Sequence, residues 1–186
     1  MIFTPTKIPG AYIVDVERKE DARGFNARSW DMKEFTKLGL LDRIAQTNIL
    51  YNRTAGTLRG MHYQAPPRAE NKLFRCVRGA VFDAVIDMRP DSDAYLEWIT
   101  VELNAENYRQ LHIPEGCAQG FQTLTDDTEL AYQVSEFYSP EFERGIRYDD
   151  PAFGIPWPMK PTVISDKDKN WPDLAVPPRH PSMDPR

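Results

Sequence analysis

Residues 80–88, Ala-Val-Phe-Asp-Ala-Val-Ile-Asp-Met, decide the fold class because hydrophobic side chains recur there at every second position. Phe82, Ala84 and Ile86 form one apolar face, and the residues between them form a mixed face. This period of two is the side-chain repeat of an extended chain. The stretch is therefore predicted to be a half-buried β-strand.

Short segments of the same kind occur on both sides of this stretch, rich in β-branched and aromatic residues and separated by turn residues. Their spacing is typical of sandwiches and barrels, which predicts an all-β fold. The helical pattern is confined to residues 31–38, with Asp31 as a cap, and to a weaker start at Ser165. Strands are predicted over residues 11–16, 45–51, 57–63, 72–77, 80–88, 97–103, 108–113, 120–124 and 129–134.

The C-terminal part of the chain has a different composition. Nine of the 16 prolines lie from Pro151 onward, together with Trp157 and Trp171. We expect this segment to be extended and to lie against the body, with a proline-rich tail from about residue 171 and disorder over residues 177–186. There is no internal repeat and no low-complexity block, so residues 1–186 are predicted to form one domain.

Charge and composition exclude several classes of function. The chain has 28 acidic and 23 basic residues, a net charge of −5, which disfavours nucleic acids and anionic membranes as partners. No stretch approaches the roughly 18 apolar residues of a membrane span, and the first ten residues lack a secretory pattern, so a cytoplasmic location is expected. Cys76 and Cys117 are expected to stay reduced.

Charged residues interrupt the predicted strand over residues 57–63, which together with Gln64 reads TLRGMHYQ. A charge on an inner sheet face is unfavourable unless it is paired or lines a wet cavity, so Arg59, His62 and the nearby Lys72 predict a ligand pocket. The alternative is that Arg59 and Lys72 face solvent. Strict alternation places Arg59 and His62 on opposite faces, so a shared pocket requires a bulge near Gly60 or a position at the sheet's mouth.

Two frames typical of metal-binding cupins are present without their full set of histidines. Gly56, His62 and Gln64 fill the first, and residues 114–119, PEGCAQ, fill the second. His62 is the one imidazole left, and neutral amides such as Gln119 are poor transition-metal ligands, so no metal site is predicted.

His62 is then available as a base, provided that a carboxylate fixes its tautomer. The alternative is a structural, hydrogen-bonded histidine, which is what we expect of His112 and His180.

Six motifs follow one another along the chain: RGF (23–25), GTLRGMHYQ (56–64), KLFRCVRG (72–79), ELNAEN (102–107), ERGIRYDDP (143–151) and SDKD (165–168). Together they resemble the dTDP-4-dehydrorhamnose 3,5-epimerase family, a cofactor-independent branch of the cupins. The resemblance runs from about residue 5 to residue 175. It implies a cupin-type jelly roll with one or two short peripheral helices, no cofactor, and a homodimer with exchange of an N-terminal segment.

The resemblance also implies roles for individual residues. His62 corresponds to the family's base and Asp168 to its carboxylate partner, while Tyr132 occupies the position of the opposing proton donor. Lys72 is suited to stabilise the enolate formed from a 4-keto sugar. The remaining side chains are implied to bind the substrate, with guanidinium groups on the pyrophosphate and a tyrosine on the base: Arg23, Arg28, Gln46, Asn48, Arg59, Gln119, Tyr138, Glu143 and Lys167.

Three positions depart from the family pattern. Gln119 stands where the family usually has histidine, which predicts that one of two epimerisations is slow or lost. Arg28 stands where glutamate is usual, so both dTDP and CDP remain open as the nucleotide. Residues 49–52, Ile-Leu-Tyr-Asn, replace smaller polar residues and are expected to reshape the sugar pocket.

The resemblance thus predicts an isomerase that epimerises C3, C5 or both of a nucleotide-linked 4-keto-6-deoxyhexose in deoxysugar biosynthesis. Two alternatives remain at this point. One is a 3,4-ketoisomerase acting on the same class of sugar, and the other is a non-catalytic cupin that binds a nucleotide sugar.

Overall fold

The computed structural model describes residues 1–174. The expectations for His180 and for residues 177–186 therefore lie outside the described residues.

Fourteen strands and two short α-helices make up the described chain, and each of the nine predicted strands is present. The largest shift of a boundary is in β11, which begins three residues before the predicted start. The elements are β1 (Ile2–Pro5), β2 (Tyr12–Asp15), β3 (Lys19–Asp21), β4 (Gly24–Asn26), α1 (Met32–Lys37), β5 (Gln46–Asn52), β6 (Thr57–Gln64), β7 (Lys72–Arg78), β8 (Ala80–Asp87), β9 (Trp98–Asn104), β10 (Gln110–Ile113), β11 (Cys117–Thr123), β12 (Thr128–Val134), β13 (Glu143–Gly145), β14 (Val163–Ile164) and α2 (Asp166–Lys169).

Two antiparallel sheets face each other, which confirms the all-β prediction. The first sheet has the order β1-β2-β10-β7-β12-β5 and the second the order β13-β6-β11-β8-β9. Strand β14 adds to β6 in parallel, with Val163 opposite Thr57. Strands β3 and β4 form a separate hairpin that pairs with neither sheet.

Three clusters of hydrophobic residues stabilise the two sheets, one between them and one on the outer face of each. Val81 and Val85 of β8 belong to the core between the sheets. Ala84 and Ile86, on the other face of the same strand, are also buried, because Phe153 and neighbouring aromatic residues of the C-terminal segment cover them. The prediction of a half-buried strand is therefore wrong for β8: a layer that follows far later in the sequence buries its second face. A third cluster packs α1 on the outside of the first sheet.

Both predicted helix starts are present. The Asp31 side chain accepts hydrogen bonds from the amides of Lys33 and Glu34, and Ser165 accepts one from the amide of Asp168. These contacts satisfy amides that have no partner inside a helix. Neither helix within residues 1–174 is long and hydrophobic enough to cross a lipid bilayer.

Candidate active site

A cavity of about 770 Å³ opens between the two sheets. Side chains from both sheets and from the start of α2 line it. It is large enough for a substrate-sized ligand and mixes apolar with charged walls, as binding sites do. The predicted site residues that line it are Gln46, Asn48, Arg59, His62, Lys72, Gln119, Tyr132, Tyr138, Glu143, Lys167 and Asp168.

A bulge in β6 places Arg59 and His62 in the same cavity. Gln119 of β11 is opposite His62 and Phe121 is opposite Arg59, so β6 has one extra residue between the two pairs. Gly60 lies in this bulge with φ +110°, and a Cβ there would come within 2.6 Å of the Cα of Gly120. The predicted condition for a shared pocket is met, and only a glycine fits the position.

His62 and Asp168 form a hydrogen-bonded pair in the wall of the second sheet. Imidazole Nε2 lies 2.6 Å from Asp168 Oδ1, and the amide of Gly60 donates to Oδ2 at 3.2 Å. Burial alone would raise the pKa of the Asp168 carboxyl, but hydrogen bonds from His62 and the Gly60 amide and the charge of His62 bring it below its ordinary value. The carboxylate is thus ionised and fixes the orientation of the ring.

The C-terminal segment makes this pair possible. Strand β14 pairs with β6, and helix α2 begins directly after β14. This order places Asp168 next to Gly60. The ring of Trp171 then packs edge-on to the imidazole of His62 at 6.4 Å between centroids. Gly145 accommodates that indole, because any Cβ at this position would overlap the ring.

Lys72 and Tyr132 lie on the first sheet, across the cavity from His62. The Tyr132 ring stacks on Phe74 with 4.9 Å between centroids. Burial raises the pKa of the Tyr132 phenol above its ordinary value, the charge of Glu70 raises it further, and Arg59 opposes them in part. The phenol therefore keeps its proton at neutral pH. Lys72 Nζ is 3.3 Å from a carboxylate oxygen of Glu70.

The side chain of Gln119 is hydrogen-bonded to a buried carboxyl group, that of Asp83. The Gln119 side-chain amide donates to Asp83 Oδ2 at 2.7 Å. Burial raises the pKa of Asp83 well above its ordinary value, although the hydrogen bond from Gln119 and the charge of Lys72 act in the opposite direction. The other oxygen, Oδ1, has no hydrogen-bond partner among the described residues. Burial therefore favours the protonated form of Asp83.

Polar contacts organise the mouth of the cavity. Arg59 Nε donates to the side chain of Asn52 at 2.8 Å. The Tyr138 hydroxyl donates to Glu143 at 2.8 Å, and Glu143 also pairs with Lys167 at 2.5 Å. Burial alone would raise the pKa of Glu143, but the bonds from Lys167 and Tyr138 bring it below its ordinary value.

Arg23 and Arg28 do not line this cavity within the chain. Arg23 lies between β3 and β4 with its side chain 90% exposed and pairs with Asp21. Arg28 pairs with Asp31 near α1, at 2.6 Å. Their predicted contact with a nucleotide remains a prediction.

Sequence reasoning missed Glu70, which lines the cavity, and Asp83, which is buried behind Gln119. Glu70 lies in the loop before β7, outside every predicted strand, so no strand pattern pointed to it. Asp83 was assigned to the mixed face of β8 without a role. Among residues 1–174 no group of three or more His, Cys, Asp or Glu side chains is arranged to hold a metal ion.

His112 is confirmed as a structural histidine. Its Nε2 accepts the amide of Leu41 at 3.2 Å and its Nδ1 donates to the carbonyl of Gly10 at 2.9 Å. Burial lowers the pKa of this imidazole to about 4, against the effect of the Gly10 bond.

Comparison with known proteins assigns this architecture. The family described as dTDP-4-dehydrorhamnose 3,5-epimerase matches residues 5–176. The dTDP-4-dehydrorhamnose 3,5-epimerase of Methanothermobacter thermautotrophicus is 40% identical over 175 residues, which are 92% of this chain and 94% of the relative.

Two solved structures show the same fold. The dTDP-4-dehydrorhamnose 3,5-epimerase of Bacillus anthracis, with TDP and PPi bound, has a TM-score of 0.89 and 36% identity over 93% of this chain and 99% of its own. ChmJ, a 3'-monoepimerase from Streptomyces bikiniensis in complex with dTDP-quinovose, has a TM-score of 0.85 and 34% identity over 92% and 87%. These similarities confirm the predicted cupin-type jelly roll. With a family match over most of its length, the chain belongs to the dTDP-4-dehydrorhamnose 3,5-epimerase family.

Proposed function

We propose that this protein is an isomerase that epimerises C3, C5 or both of a dTDP-linked 4-keto-6-deoxyhexose in deoxysugar biosynthesis. One observation carries the proposal: the His62–Asp168 pair and the Lys72 and Tyr132 side chains face one cavity from its two walls. A base on one side and an acid on the other is the arrangement that inversion of a carbon centre requires.

His62 is the proposed base. Donation of its Nε2 proton to Asp168 leaves Nδ1 as the ring nitrogen that accepts a hydrogen from carbon. The ionised Asp168 stabilises the imidazolium that results. The hydrogens at C3 and C5 flank the 4-keto group, so removal of either gives an enolate.

Lys72 and Tyr132 act on that enolate. The Lys72 ammonium stabilises the negative oxygen, which is a preorganised electrostatic contribution to the transition state. The Tyr132 phenol is protonated at neutral pH and returns a proton to the opposite face of the same carbon. His62 then releases its proton to solvent and the Tyr132 phenolate takes one up from solvent, so each turnover exchanges a carbon-bound hydrogen with water.

The mouth of the cavity is assigned to the nucleotide. Arg59 is suited to pair with the pyrophosphate, since a guanidinium fork matches phosphate oxygens. Tyr138 is assigned to stack on the base, with Gln46 and Asn48 as polar contacts and with Glu143 and Lys167 beside them. The TDP and dTDP-quinovose complexes of the relatives support dTDP, and competition by dTDP against CDP for substrate measures the preference.

The proposal includes a homodimer with an exchanged N-terminal segment. All six strand residues of the β3–β4 hairpin are exposed, and the hairpin pairs with neither sheet of its own chain. The edge strand β5 exposes Ile49 and Tyr51. A hairpin supplied by a second copy would bring Arg23 and Arg28 toward the nucleotide end of the partner's cavity.

Mixing two inactive variants tests this exchange. His62→Ala and Arg23→Ala each disable a site, but a mixed dimer would contain one site in which both residues are intact. Refolding the two together is expected to restore about a quarter of the sites. A mixture as inactive as either variant, in a dimeric protein, would contradict the exchange.

The nature of the reaction is tested by incubating the protein with dTDP-4-keto-6-deoxyglucose in deuterated water and identifying the product by NMR. Deuterium at C3 or C5 with retention of the 4-keto group supports the epimerase. A carbonyl at C3 would indicate the ketoisomerase instead, and binding without exchange would indicate a non-catalytic cupin.

The two buried free thiols, Cys76 and Cys117, support a cytoplasmic location, where thiols stay reduced.

A further inference from the structure

Glu70 is a carboxylate inside the cavity to which the proposed reaction gives no role. It lines the cavity with its side chain 11% exposed, and one of its oxygens lies 3.3 Å from Lys72 Nζ. Both members of this ion pair are largely withdrawn from water. A pair in such a place has a fixed geometry, unlike the mobile ion pairs of an exposed surface.

The surroundings of Glu70 hold its carboxylate in place. The amide of Gln64 donates to Glu70 Oε2 at 3.4 Å and to the carbonyl of Arg68 at 2.9 Å, while its oxygen accepts the amide of Ser139. The next residue, Asn71, bonds through its backbone to Ser135 at the end of β12. Glu70 is thus fixed to the strand that carries Tyr132.

The charge of Glu70 acts on Lys72 and Tyr132, the two side chains that face His62 from the first sheet. It pairs directly with Lys72, and it is one of the causes that favour the protonated phenol of Tyr132. We propose that Glu70 is a positioning residue for this reaction: its carboxylate holds the Lys72 ammonium at the cavity wall, and its negative charge acts on the part of the site that Lys72 and Tyr132 form there. This inference rests on the proposed epimerase function.

Asp83 does not replace Glu70 in this role. It lies within the electrostatic range of Lys72, but it is fully buried, which raises its pKa well above the ordinary value and favours its uncharged form, and its bonded oxygen is taken by Gln119. Glu70 therefore supplies the negative charge on this wall.

Other charged and titratable groups also face the cavity. Arg59 on β6 opposes Glu70 at Tyr132. The His62–Asp168 pair faces Lys72 and Tyr132 from the second sheet, and Tyr138, Glu143 and Lys167 lie at the mouth. Replacement of Glu70 alone leaves all of these groups unchanged.

The test compares Glu70→Gln, which keeps the shape and removes the charge, with Glu70→Asp, which keeps the charge. Glu70→Gln is expected to lower kcat about tenfold with KM within about twofold, because the nucleotide contacts are untouched. The alkaline limb of its pH–rate profile should move to lower pH, since Tyr132 then loses its proton more easily. Glu70→Asp should keep the alkaline limb of the wild type. Glu102→Gln, an exposed carboxylate on β9, is the matched control and should behave as wild type.

A readout without turnover separates this inference from the proposed function. NMR of protein labelled at the tyrosine ζ-carbon follows the phenol of Tyr132, with Tyr132→Phe identifying its signal. The titration midpoint should fall in Glu70→Gln and stay near the wild-type value in Glu70→Asp. An unchanged midpoint together with an unchanged alkaline limb would overturn the inference, even if the variant melts at a lower temperature. A wild type without turnover but with the shifted midpoint would contradict the proposed function and leave the electrostatic role of Glu70 supported.

Discussion

Asp168 and His62 lie 2.6 Å apart although 106 residues separate them along the chain. The pairing of β14 with β6 and the immediate start of α2 bring the carboxylate to the imidazole. The short C-terminal segment is therefore part of the proposed catalytic machinery as well as a cover for the second sheet.

Replacement of Asp168 by Asn is expected to lower kcat at least about a hundredfold. An amide can donate to His62 Nε2 and so select the tautomer whose Nδ1 carries the proton, which cannot act as a base. Asp173→Asn is the control, because Asp173 lies in the same segment but pairs with Arg147. A kcat within about twofold of wild type for Asp168→Asn, measured by NMR of product, would contradict the role of the pair.

Gly60→Ala is expected to lower the free energy of unfolding by more than about 3 kcal/mol and to abolish activity. The new methyl group would meet the backbone of β11, 2.6 Å from Gly120 Cα and 2.7 Å from the Gln119 carbonyl oxygen. Gly154 also has a positive φ, +59°, but an added Cβ there meets nothing within 4 Å. Gly154→Ala should therefore lose only about 1 kcal/mol. Equal urea midpoints for the two variants would show that the bulge tolerates a side chain.

The stability of the protein is expected to fall as the pH drops from about 6.5 to 4. The pKa of His112 is about 4 in the fold and rises toward the ordinary value when the chain unfolds, so the unfolded state takes up the proton first. The contribution of this group is present above pH 6.5, is lost on acidification, and amounts to about 3 kcal/mol. Denaturant unfolding of wild type and His112→Gln across this range measures it. Parallel pH curves for the two proteins would rule out His112 as the cause.

In the wild type, one of the two carbons C3 and C5 is expected to exchange more slowly than the other. Gln119→His is expected to raise deuterium incorporation at that slower carbon, relative to the faster one, by at least about tenfold. A histidine at this position would stand next to Asp83, whose Oδ2 now accepts the Gln119 amide, and would form a second imidazole–carboxyl pair. The exchange at that carbon should persist when His62 is also replaced by Ala. An unchanged ratio of exchange would mean that the missing imidazole does not limit epimerisation.

Much of the fold was predictable because short local patterns in the sequence determine where the strands and helices form. Segments rich in β-branched and aromatic residues located nine of the fourteen strands within residues 1–174, and the caps at Asp31 and Ser165 located both helices. The requirement for a bulge near Gly60 also followed from the sequence, since alternation alone would have separated Arg59 from His62.

Other features were beyond local patterns because distant segments create them. The second face of β8 is buried by Phe153 and its neighbours, which no pattern within residues 80–88 reveals. Glu70 becomes a site residue only because the loop before β7 is tied to Gln64 and β12. The positions of Arg23 and Arg28 relative to a nucleotide depend on a second copy of the chain in the proposed dimer.

Solvent exchange catalysed by His62→Ala tests the central claim most directly. With dTDP-4-keto-6-deoxyglucose in deuterated water, the wild type is expected to incorporate deuterium at the epimerised carbon. The variant should do so at least about a hundredfold more slowly while binding dTDP as tightly. A variant that exchanges at the wild-type rate would contradict proton abstraction by His62 and, with it, the mechanism proposed for this cavity.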